Sequence, residues 1–306
     1  MNKLISSDPA LRISIFLPLL SNGGISIMLI QLARELEARG HEVELVLGQK
    51  RAEGSRLALP PGITSVHLTQ ARKVTARFAA VRAAGRHWRL LLRPIIARRG
   101  TTWALRYLPP LAAYLAKRKP DVLLSANSWP NLVAIWANCL AGNQTRLIVS
   151  EHTQLSEKIR HRPDDVHWRL LPRLIECFYT EAAQVVAVSN GVADDLAKTT
   201  QLERSRIIFL PNPVVSVSLQ KKAAASCPHP WLAGGGPPVI VAVGRLSPQK
   251  DFETLLQAFA LVRRQRPARL IILGEGGERS RLEALVQSLD LQSDVTLPGF
   301  DDNPFA

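Results

Sequence analysis

The sequence predicts an α/β protein made of two successive units, each built on a parallel sheet. Short apolar runs typical of buried strands alternate with helical stretches along most of the 306 residues, which is the pattern of strand–helix–strand crossovers. Residues 214–237 interrupt it with KKAAASCPHPWLAGGGPP, a composition that indicates a linker. We therefore expect a complete unit over residues 1–213 and a second over 238–306, whose three strands suggest that it is incomplete.

The first unit opens with a strand predicted at Arg12–Leu17. A helix is predicted over Gly24–Arg39, with Ile27, Ile30, Leu32 and Leu36 partly on one face and Gly40 as its stop. Five further apolar runs predict strands at Glu42–Leu47, Asp121–Ser125, Arg146–Ser150, Gln184–Ser189 and Ile207–Leu210. The apolar run at Leu11–Leu20 is too short to span a bilayer, and no cleavage site follows it, so no signal peptide or transmembrane helix is expected.

The second unit repeats the alternation. Strands are predicted at Val239–Val243, Arg269–Leu273 and Val295–Pro298, with helices at Asp251–Arg264 and Arg279–Ser288 between them. Ser247 stands where a helix cap is expected, and Pro248 suits a first turn.

The net charge of +14 comes from one part of the chain. Between Gly54 and Pro120 there are 14 of the 39 Lys and Arg residues and no Asp or Glu, so the remainder is neutral. A protein that is basic throughout, such as a histone-like or ribosomal protein, is therefore disfavoured.

This basic stretch predicts a helical insert over about residues 70–119. On one helix, the apolar residues Val74, Phe78, Val81, Trp88 and Leu92 share a face, and a basic stripe lies about 100° round from it, formed by Arg82, Arg86, Arg89 and Arg93. Three interpretations stay open: contact with an anionic membrane, plain packing on the domain, or binding of nucleic acid. No nucleic-acid motif accompanies the patch, so nucleic acid is not an expected partner.

Three widely spaced cysteines, Cys139, Cys177 and Cys227, form no metal-binding pattern and suit a reducing compartment. We expect a cytoplasmic protein, peripheral on the inner face of the cytoplasmic membrane if the basic helix binds lipid.

The strongest local motif is VIVAVGRLSPQKD, at Val239–Asp251. Gly244 follows a strand and permits close approach of a ligand, while Arg245 and Lys250 bring two cations to a helix N-terminus. Such a loop can bind a diphosphate and can neutralise charge on a diphosphate leaving group. The alternative is two ordinary surface cations.

Other candidates also follow strands. Gly23 and Gly24 can expose N–H groups to a phosphate or simply make a tight turn. Glu151 and His152 follow the strand at Arg146–Ser150, where ligands of parallel sheets bind; the alternative for His152 is a locally bonded loop histidine. LGEGGER, Leu273–Arg279, resembles a dinucleotide fingerprint, but Arg279 replaces its third glycine.

Two further junctions have structural interpretations. In VSNGV, Ser189 or Asn190 is expected to cap a helix, and Asn212–Pro213 is expected to shape the exit to the linker.

Together these motifs resemble the family-4 retaining glycosyltransferases. The resemblance rests on the order of the GG loop, EH, VSNGV, PNPV, VGRL-x3-K-D, LGEG and GF along nearly the whole chain. It implies the GT-B fold, in which two Rossmann-like domains face each other across a cleft. The first would be the acceptor domain, and the second the nucleotide-sugar domain.

The resemblance also implies roles for residues. Arg245 and Lys250 would hold the donor diphosphate, Gly23 and Gly24 would close onto it, and His152 would contact the donor sugar. Gly244 would lie in the same donor loop, with Glu275, Gly299 and Phe300 near the nucleotide. The family needs no metal or other cofactor, its donor is a nucleotide-diphospho-sugar, and it transfers the sugar with retention. The basic amphipathic stretch, and not the resemblance, leads us to expect a membrane-associated glycan or lipid acceptor, such as a lipid-linked saccharide or a lipopolysaccharide core.

The sequence departs from the family in one respect. The family has a pair of glutamates seven residues apart further along the second domain, and this sequence ends before that motif. Glu275, Glu278 and Glu283 are spaced three and five residues apart and do not supply it. We expect a truncated chain with impaired activity.

Two other functional classes compete with a glycosyltransferase. A non-enzymatic nucleotide- or sugar-binding protein with a degenerate site is the alternative. An NAD-dependent enzyme is disfavoured by the missing third glycine and by the lack of an acidic residue after the following strand.

Overall fold

The computed structural model describes residues 9–21, 23–48, 59, 62–96, 103–215, 217–227 and 229–306. Part of the basic stretch, residues 97–102, and the side chain of Arg93 lie outside the described set. The chain divides into two compact units between Val214 and Val215.

A seven-stranded parallel sheet forms the first unit. Its order is β3-β2-β1-β4-β5-β6-β7, and every neighbouring pair is parallel. The strands are β1 (Arg12–Leu17), β2 (Glu42–Gly48), β3 (Thr64–Leu68), β4 (Val122–Ala126), β5 (Arg146–Glu151), β6 (Gln184–Ala187) and β7 (Ile207–Phe209). The predicted parallel α/β fold is confirmed.

Helices cover both faces of this sheet. They are α1 (Gly24–Ala38), α2 (Lys73–Ala84), α3 (Leu108–Arg118), α4 (Ser128–Leu140), α5 (Leu155–Arg160), α6 (Val166–Phe178) and α7 (Asn190–Thr200). Neighbouring residues of β1 belong to different cores, with Ile15 packed on the α1 side and Phe16 on the side of α2, α3 and α4. Because side chains alternate along a strand, these two cores lie on opposite faces.

The prediction for α1 needs one correction. Ile30 is buried as expected, but Ile27 is 50% exposed. The buried residues are Ser26, Met28, Leu29, Ile30 and Ala33. The helix therefore turns a different face to the sheet from the one predicted.

The continuous basic helix predicted over Val74–Arg93 is wrong. The helix α2 ends at Ala84, and Gly85 has φ +50, a left-handed conformation that suits glycine. A 3₁₀ turn follows at Gly85–Leu91, and then a π-helical turn at Leu92–Ile96. The apolar residues therefore cannot share a single helical face.

Small residues hold α2 against the domain. Its buried positions are Ala76, Ala80, Ala83 and Ala84, whereas Val74 and Phe78 are 66% and 75% exposed. The segment from α2 to α3 is part of the main core and not a separate insert, since Leu91, Ile95, Leu105, Leu108 and Leu111 are fully buried in it.

The second unit contains a three-stranded parallel sheet in the order β10-β9-β8. Its strands are β8 (Val239–Val243), β9 (Arg269–Leu273) and β10 (Val295–Gly299), and its helices are α8 (Val217–Ala223), α9 (Phe252–Gln265) and α10 (Arg279–Ser288). The core lies between the sheet and the two longer helices, around Leu256, Phe259, Leu270 and Ile272.

Two local predictions in this unit are corrected. Ser247 precedes a 3₁₀ turn at Pro248–Lys250 and makes no side-chain cap. The cap of α9 is instead Asp251, at φ 49, which accepts a hydrogen bond from Thr254 N. The stretch predicted as a linker contains α8 and a 3₁₀ turn at Pro230–Leu232.

Candidate functional site

In the second unit, three loops at the carboxyl ends of β8, β9 and β10 are joined by backbone hydrogen bonds. Gly244 N donates to Leu273 O at 2.9 Å, Leu246 N donates to Glu275 O at 3.0 Å, and Gly274 N donates to Gly299 O at 2.7 Å. Polar groups at this edge of a parallel sheet are the usual ligand contacts. The loops therefore form one rigid edge.

Close backbone contact explains two of the glycines in this edge. A Cβ atom on Gly274, which has φ +142, would lie 1.9 Å from Gly244 O. A Cβ atom on Gly276 would lie 2.1 Å from Leu246 O. These two glycines of LGEGGER therefore allow the loops to pack against each other. This packing accounts for the glycines without a bound dinucleotide.

Arg245 and Lys250 stand at the surface of this edge, and both are exposed. Within the described part of the chain neither has a carboxylate at ion-pair distance. The space left by Gly244 is occupied by the stem of Lys250, whose Cγ and Cδ lie 3.5 Å from where a Cβ would stand. Two unpaired cations next to exposed loop backbone can bind a phosphate group.

Glu275 is fixed by Arg279. Arg279 donates from Nε to Oε2 at 2.9 Å and from Nη2 to Oε1 at 2.8 Å, and these hydrogen bonds lower the pKa of the Glu275 carboxyl. A Cβ on Gly299, at φ +101, would approach Glu275 Oε1 to 2.9 Å. Phe300 follows directly and is 52% exposed. The arginine at the third glycine position therefore orients a site carboxylate.

The glycine pair of the first unit lies at the N-terminus of α1. Gly23 is the helix cap residue, but its N–H donates to Ser21 Oγ at 3.3 Å. Gly24 has open space around it, because a Cβ there would meet nothing within 4 Å. The N–H of Gly23 is thus already engaged, whereas the backbone at Gly24 is open to a ligand.

His152 follows β5 directly, and β4 separates β5 from β1 in the sheet. Neighbouring strands are about 4.8 Å apart, so the ends of β1 and β5 lie about 10 Å apart. His152 is partly buried, and its Nε2 lies 3.0 Å from Ser150 Oγ. Burial first, and then the charge of Lys158, lower the pKa of His152 to about 4, so the imidazole is neutral at pH 7.

Glu151 points into the core. It is 1% exposed and accepts hydrogen bonds from Ser128 Oγ at 3.0 Å, from Asn131 Nδ2 at 3.3 Å and from Tyr179 OH. Burial raises the pKa of this carboxyl. Glu151 therefore anchors the end of β5 and does not face a ligand, which leaves His152 as the less buried member of the pair.

Sequence reasoning missed Lys158. It lies close enough to His152 to lower its pKa, and its Nζ stands 5.7 Å from the centre of the Trp168 ring, which Arg162 also contacts at 5.0 Å. Only the fold brings α5 and α6 together here, so no local sequence signal marks the cluster.

The basic patch is exposed on the first unit. Arg82, Arg86, Trp88 and Arg89 all face solvent, and the Arg89 guanidinium lies 6.0 Å from the Trp88 ring centre. With Val74, Phe78 and Leu92 these residues combine exposed apolar and cationic groups on one segment.

A cavity of about 450 Å³ lies at the other end of the first sheet. Its polar groups pair with each other, since Ser14 Oγ lies 2.7 Å from Tyr114 OH, and Tyr114 OH donates to Glu44. None of the predicted site residues lines it, so we place the candidate site at the carboxyl ends of the strands.

Family models match both units. The model of Glycosyltransferase Family 4 matches residues 22–216. The chain belongs to this glycosyltransferase family. The model of Glycosyl transferases group 1 matches residues 229–304. The family-4 match therefore lies on the first unit, and the group-1 match lies on the second.

Curated relatives are glycosyltransferases. The chain is 30% identical over 176 residues to the N-acetylgalactosamine-N,N'-diacetylbacillosaminyl-diphospho-undecaprenol 4-alpha-N-acetylgalactosaminyltransferase of Campylobacter jejuni, covering 58% of this chain and 45% of that enzyme. It is 24% identical over 287 residues to the 2-deoxystreptamine N-acetyl-D-glucosaminyltransferase of Streptomyces fradiae, covering 91% of this chain and 64% of that enzyme. The chain thus spans about half to two thirds of these relatives.

Solved structures share the fold. The lipopolysaccharide outer core galactosyltransferase WaaB in its apo form has a TM-score of 0.60 at 17% identity, over 96% of this chain and 69% of that one. Anabaena Alr3699/HepE, in complex with UDP and glucose, has a TM-score of 0.62 at 18% identity, over 96% and 70%. These neighbours confirm a GT-B fold for the family-4 glycosyltransferase.

Proposed function

We propose that this family-4 glycosyltransferase transfers a sugar from a nucleotide-diphospho-sugar to a saccharide or lipid-linked acceptor, with retention. The observation that carries the proposal is the pair Arg245 and Lys250, at the edge formed by the three loops of the second unit. Both cations are exposed, and neither has a carboxylate partner among the described residues. Family membership and the Anabaena structure with UDP and glucose support a nucleotide-linked donor.

Each unit supplies different contacts in this proposal. In the second unit, Arg245 and Lys250 bind the diphosphate and stabilise its charge as it leaves, while Glu275, Gly299 and Phe300 lie against the nucleotide. In the first unit, Gly24 offers exposed backbone and neutral His152 offers a hydrogen-bonding group to a substrate. We name no nucleophile.

The proposed chemistry uses no metal, because the two cationic side chains neutralise the diphosphate. No group of three or more His, Cys, Asp or Glu residues in the described ranges could hold a metal ion. The expectation remains a prediction, and activity in excess EDTA that equals activity with Mg²⁺ would support it.

A thermal-shift panel of UDP-, GDP-, ADP- and TDP-sugars tests donor binding. One nucleotide series should raise Tm, and Arg245→Ala with Lys250→Ala should abolish the shift. A chain whose Tm no member of the panel changes would contradict the proposal.

Binding without transfer is the second candidate. Arg279 pairs with both Glu275 and Glu283, each at 2.8 Å, so ion pairs already engage these carboxylates. We propose that these 306 residues bind the donor but transfer the sugar slowly. Hydrolysis or transfer at a substantial rate by the purified chain would refute this part.

We propose an acceptor at an anionic membrane, reached from the cytoplasmic side. The support is the exposed set Val74, Phe78, Trp88 and Leu92 beside Arg82, Arg86 and Arg89. The Campylobacter relative is named for a diphospho-undecaprenol acceptor. No helix in the described ranges has the length and apolar character needed to cross a membrane.

Vesicle sedimentation tests the membrane contact. Deleting α2 would remove buried alanines of the core, so point changes are preferable. Phe78→Ser with Trp88→Ser should release the protein from phosphatidylglycerol vesicles, while Leu261→Ser, an equally exposed apolar side chain at 58%, should not. Equal binding by all variants, or tighter binding to an oligonucleotide than to vesicles, would contradict the proposal.

A further inference from the structure

Three residues at the ends of β4 and β5 form a chain of hydrogen bonds that ends on His152. Ser150 Oγ donates to the backbone oxygen of Ser125 at 3.1 Å. The same Oγ lies 3.0 Å from His152 Nε2. Ser150 therefore stands between a backbone carbonyl and the imidazole.

The direction of the second bond follows from the first. A carbonyl oxygen can only accept, and a hydroxyl group has one hydrogen. If the Ser150 hydrogen goes to Ser125 O, the lone pair of Oγ faces the imidazole, so His152 must donate from Nε2. The proton of a neutral imidazole is then on Nε2, and Nδ1 carries a lone pair.

The surroundings favour a neutral ring. Burial first, and then the Lys158 ammonium, oppose a positive charge on His152. The adjacent carboxyl of Glu151 points into the core, where Ser128, Asn131 and Tyr179 hold it. No hydrogen bond to Nδ1 is found among the residues that the structure describes. Nδ1 is thus left as an acceptor at the carboxyl end of the sheet.

We propose that Ser150 is a positioning residue that fixes His152 as the Nε2–H tautomer, so that Nδ1 accepts a hydrogen bond from a hydroxyl group of the donor sugar. The assignment to a sugar hydroxyl rests on the proposed transferase function. The tautomer itself does not, because it follows from the hydrogen bonds of the protein alone.

The tautomer is measured by long-range ¹H–¹⁵N correlation on the ¹⁵N-labelled full chain at pH 7, with the His152 signals identified by their loss in His152→Gln. The expected spectrum shows protonated Nε2 and unprotonated Nδ1, with an Nε2–H slow to exchange with water. A protonated Nδ1 or an imidazolium would overturn the proposal.

Variants at Ser150 test the cause. Ser150→Ala should speed exchange of the Nε2–H, while Ser150→Thr keeps a hydroxyl and should preserve the wild-type signal. Thr180→Ala is the control, since Thr180 Oγ1 also donates to a backbone carbonyl, at 3.0 Å to Cys177 O, but contacts no histidine. Equal exchange in the Ala and Thr variants at Ser150 would show that Ser150 does not fix the ring.

Binding measurements separate this inference from the proposed function. Calorimetry with UDP and UDP-glucose, or the matching pair from the thermal-shift panel, should show that Ser150→Ala loses about fivefold of the preference for the nucleotide-sugar over the nucleotide. Affinity for the nucleotide alone should not change. An unchanged preference overturns the role of Nδ1. Failure of wild type to bind either ligand overturns the proposed function, and the tautomer spectrum still decides the role of Ser150.

Discussion

The loop after β8 and the loop after β1 each follow the first strand of their sheet along the chain, but they are built differently. The β8 loop is hydrogen-bonded to the β9 loop and carries Arg245 and Lys250, two cations with no carboxylate at ion-pair distance among the residues that the structure describes. The β1 loop closes on itself, with Ser21 Oγ accepting from Gly23 N and lying 3.3 Å from Ser26 Oγ. Under the proposed function, the second unit would recognise phosphate charge, whereas the first would contribute neutral groups and open backbone.

The largest expected effect comes from a substitution that disrupts the packing between the loops of the second unit. In Gly274→Ala the new Cβ would overlap Gly244 O, so we expect a loss of about 3 kcal/mol or more in the free energy of unfolding, measured by urea denaturation. The controls are Gly277→Ala and Gly24→Ala, where a Cβ meets nothing within 4 Å. Stabilities within about 0.5 kcal/mol for all three variants would refute the packing role.

The second prediction concerns the neutral group of the first unit. The pKa of His152 lies at about 4 in the folded protein against an ordinary 6.5, so the unfolded chain binds more protons between these values. The free energy of unfolding should therefore fall as pH drops from about 6.5 to 4, by about 2–3 kcal/mol from this group.

His152→Gln is the control for this slope, because it retains the buried Glu151 whose raised pKa acts in the opposite direction. The difference between wild type and variant, measured by urea denaturation across that pH range, isolates the histidine. A constant difference would show that His152 titrates normally.

The third prediction removes the charge of the β8 loop. Arg245→Ala or Lys250→Ala should each weaken binding of the nucleotide diphosphate about tenfold, because each loses one charge-assisted contact. Arg264→Ala, at the end of α9 and outside the loop, should bind as wild type does in calorimetry. Equal affinities in all three variants would place the diphosphate elsewhere.

The smallest expected effect is in the β1 loop. Ser21→Ala removes the acceptor of the Gly23 N–H, so the free energy of unfolding should fall by about 1 kcal/mol or less. Because Gly23 N–H becomes available, nucleotide affinity should stay equal or rise. A large loss of affinity would mean that Ser21 itself contacts the ligand.

The sequence was sufficient for the apolar strands but not for a partly polar one. Buried parallel strands are nearly continuous apolar runs, so β1 and β9 were predicted at their observed bounds. The strand β8 was also predicted at its bounds because it is an apolar run, although it lies at the edge of its sheet and is mostly exposed. The edge strand β3, Thr64–Leu68, was missed because its residues are mostly half-exposed and partly polar.

Local conformations and side-chain contacts were harder to predict. The end of α2 at Gly85 and the cap at Asp251 both depend on positive φ angles, which the residue types permit but do not require. Arg245, Lys250 and His152 follow strands and were found from the sequence as candidates. Lys158 and Ser150 act through contacts that only the packing of α5 and the register of β4 and β5 create.

The buried alanines of α2 separate the packing of this helix from the properties of its exposed surface. The buried residues of this helix are all alanines, whereas Val74 and Phe78 on its outer side are mostly exposed and contribute little to folding. The outer residues can therefore change at little cost in stability. Related proteins with the same fold can carry different surface residues here without any change in the candidate site.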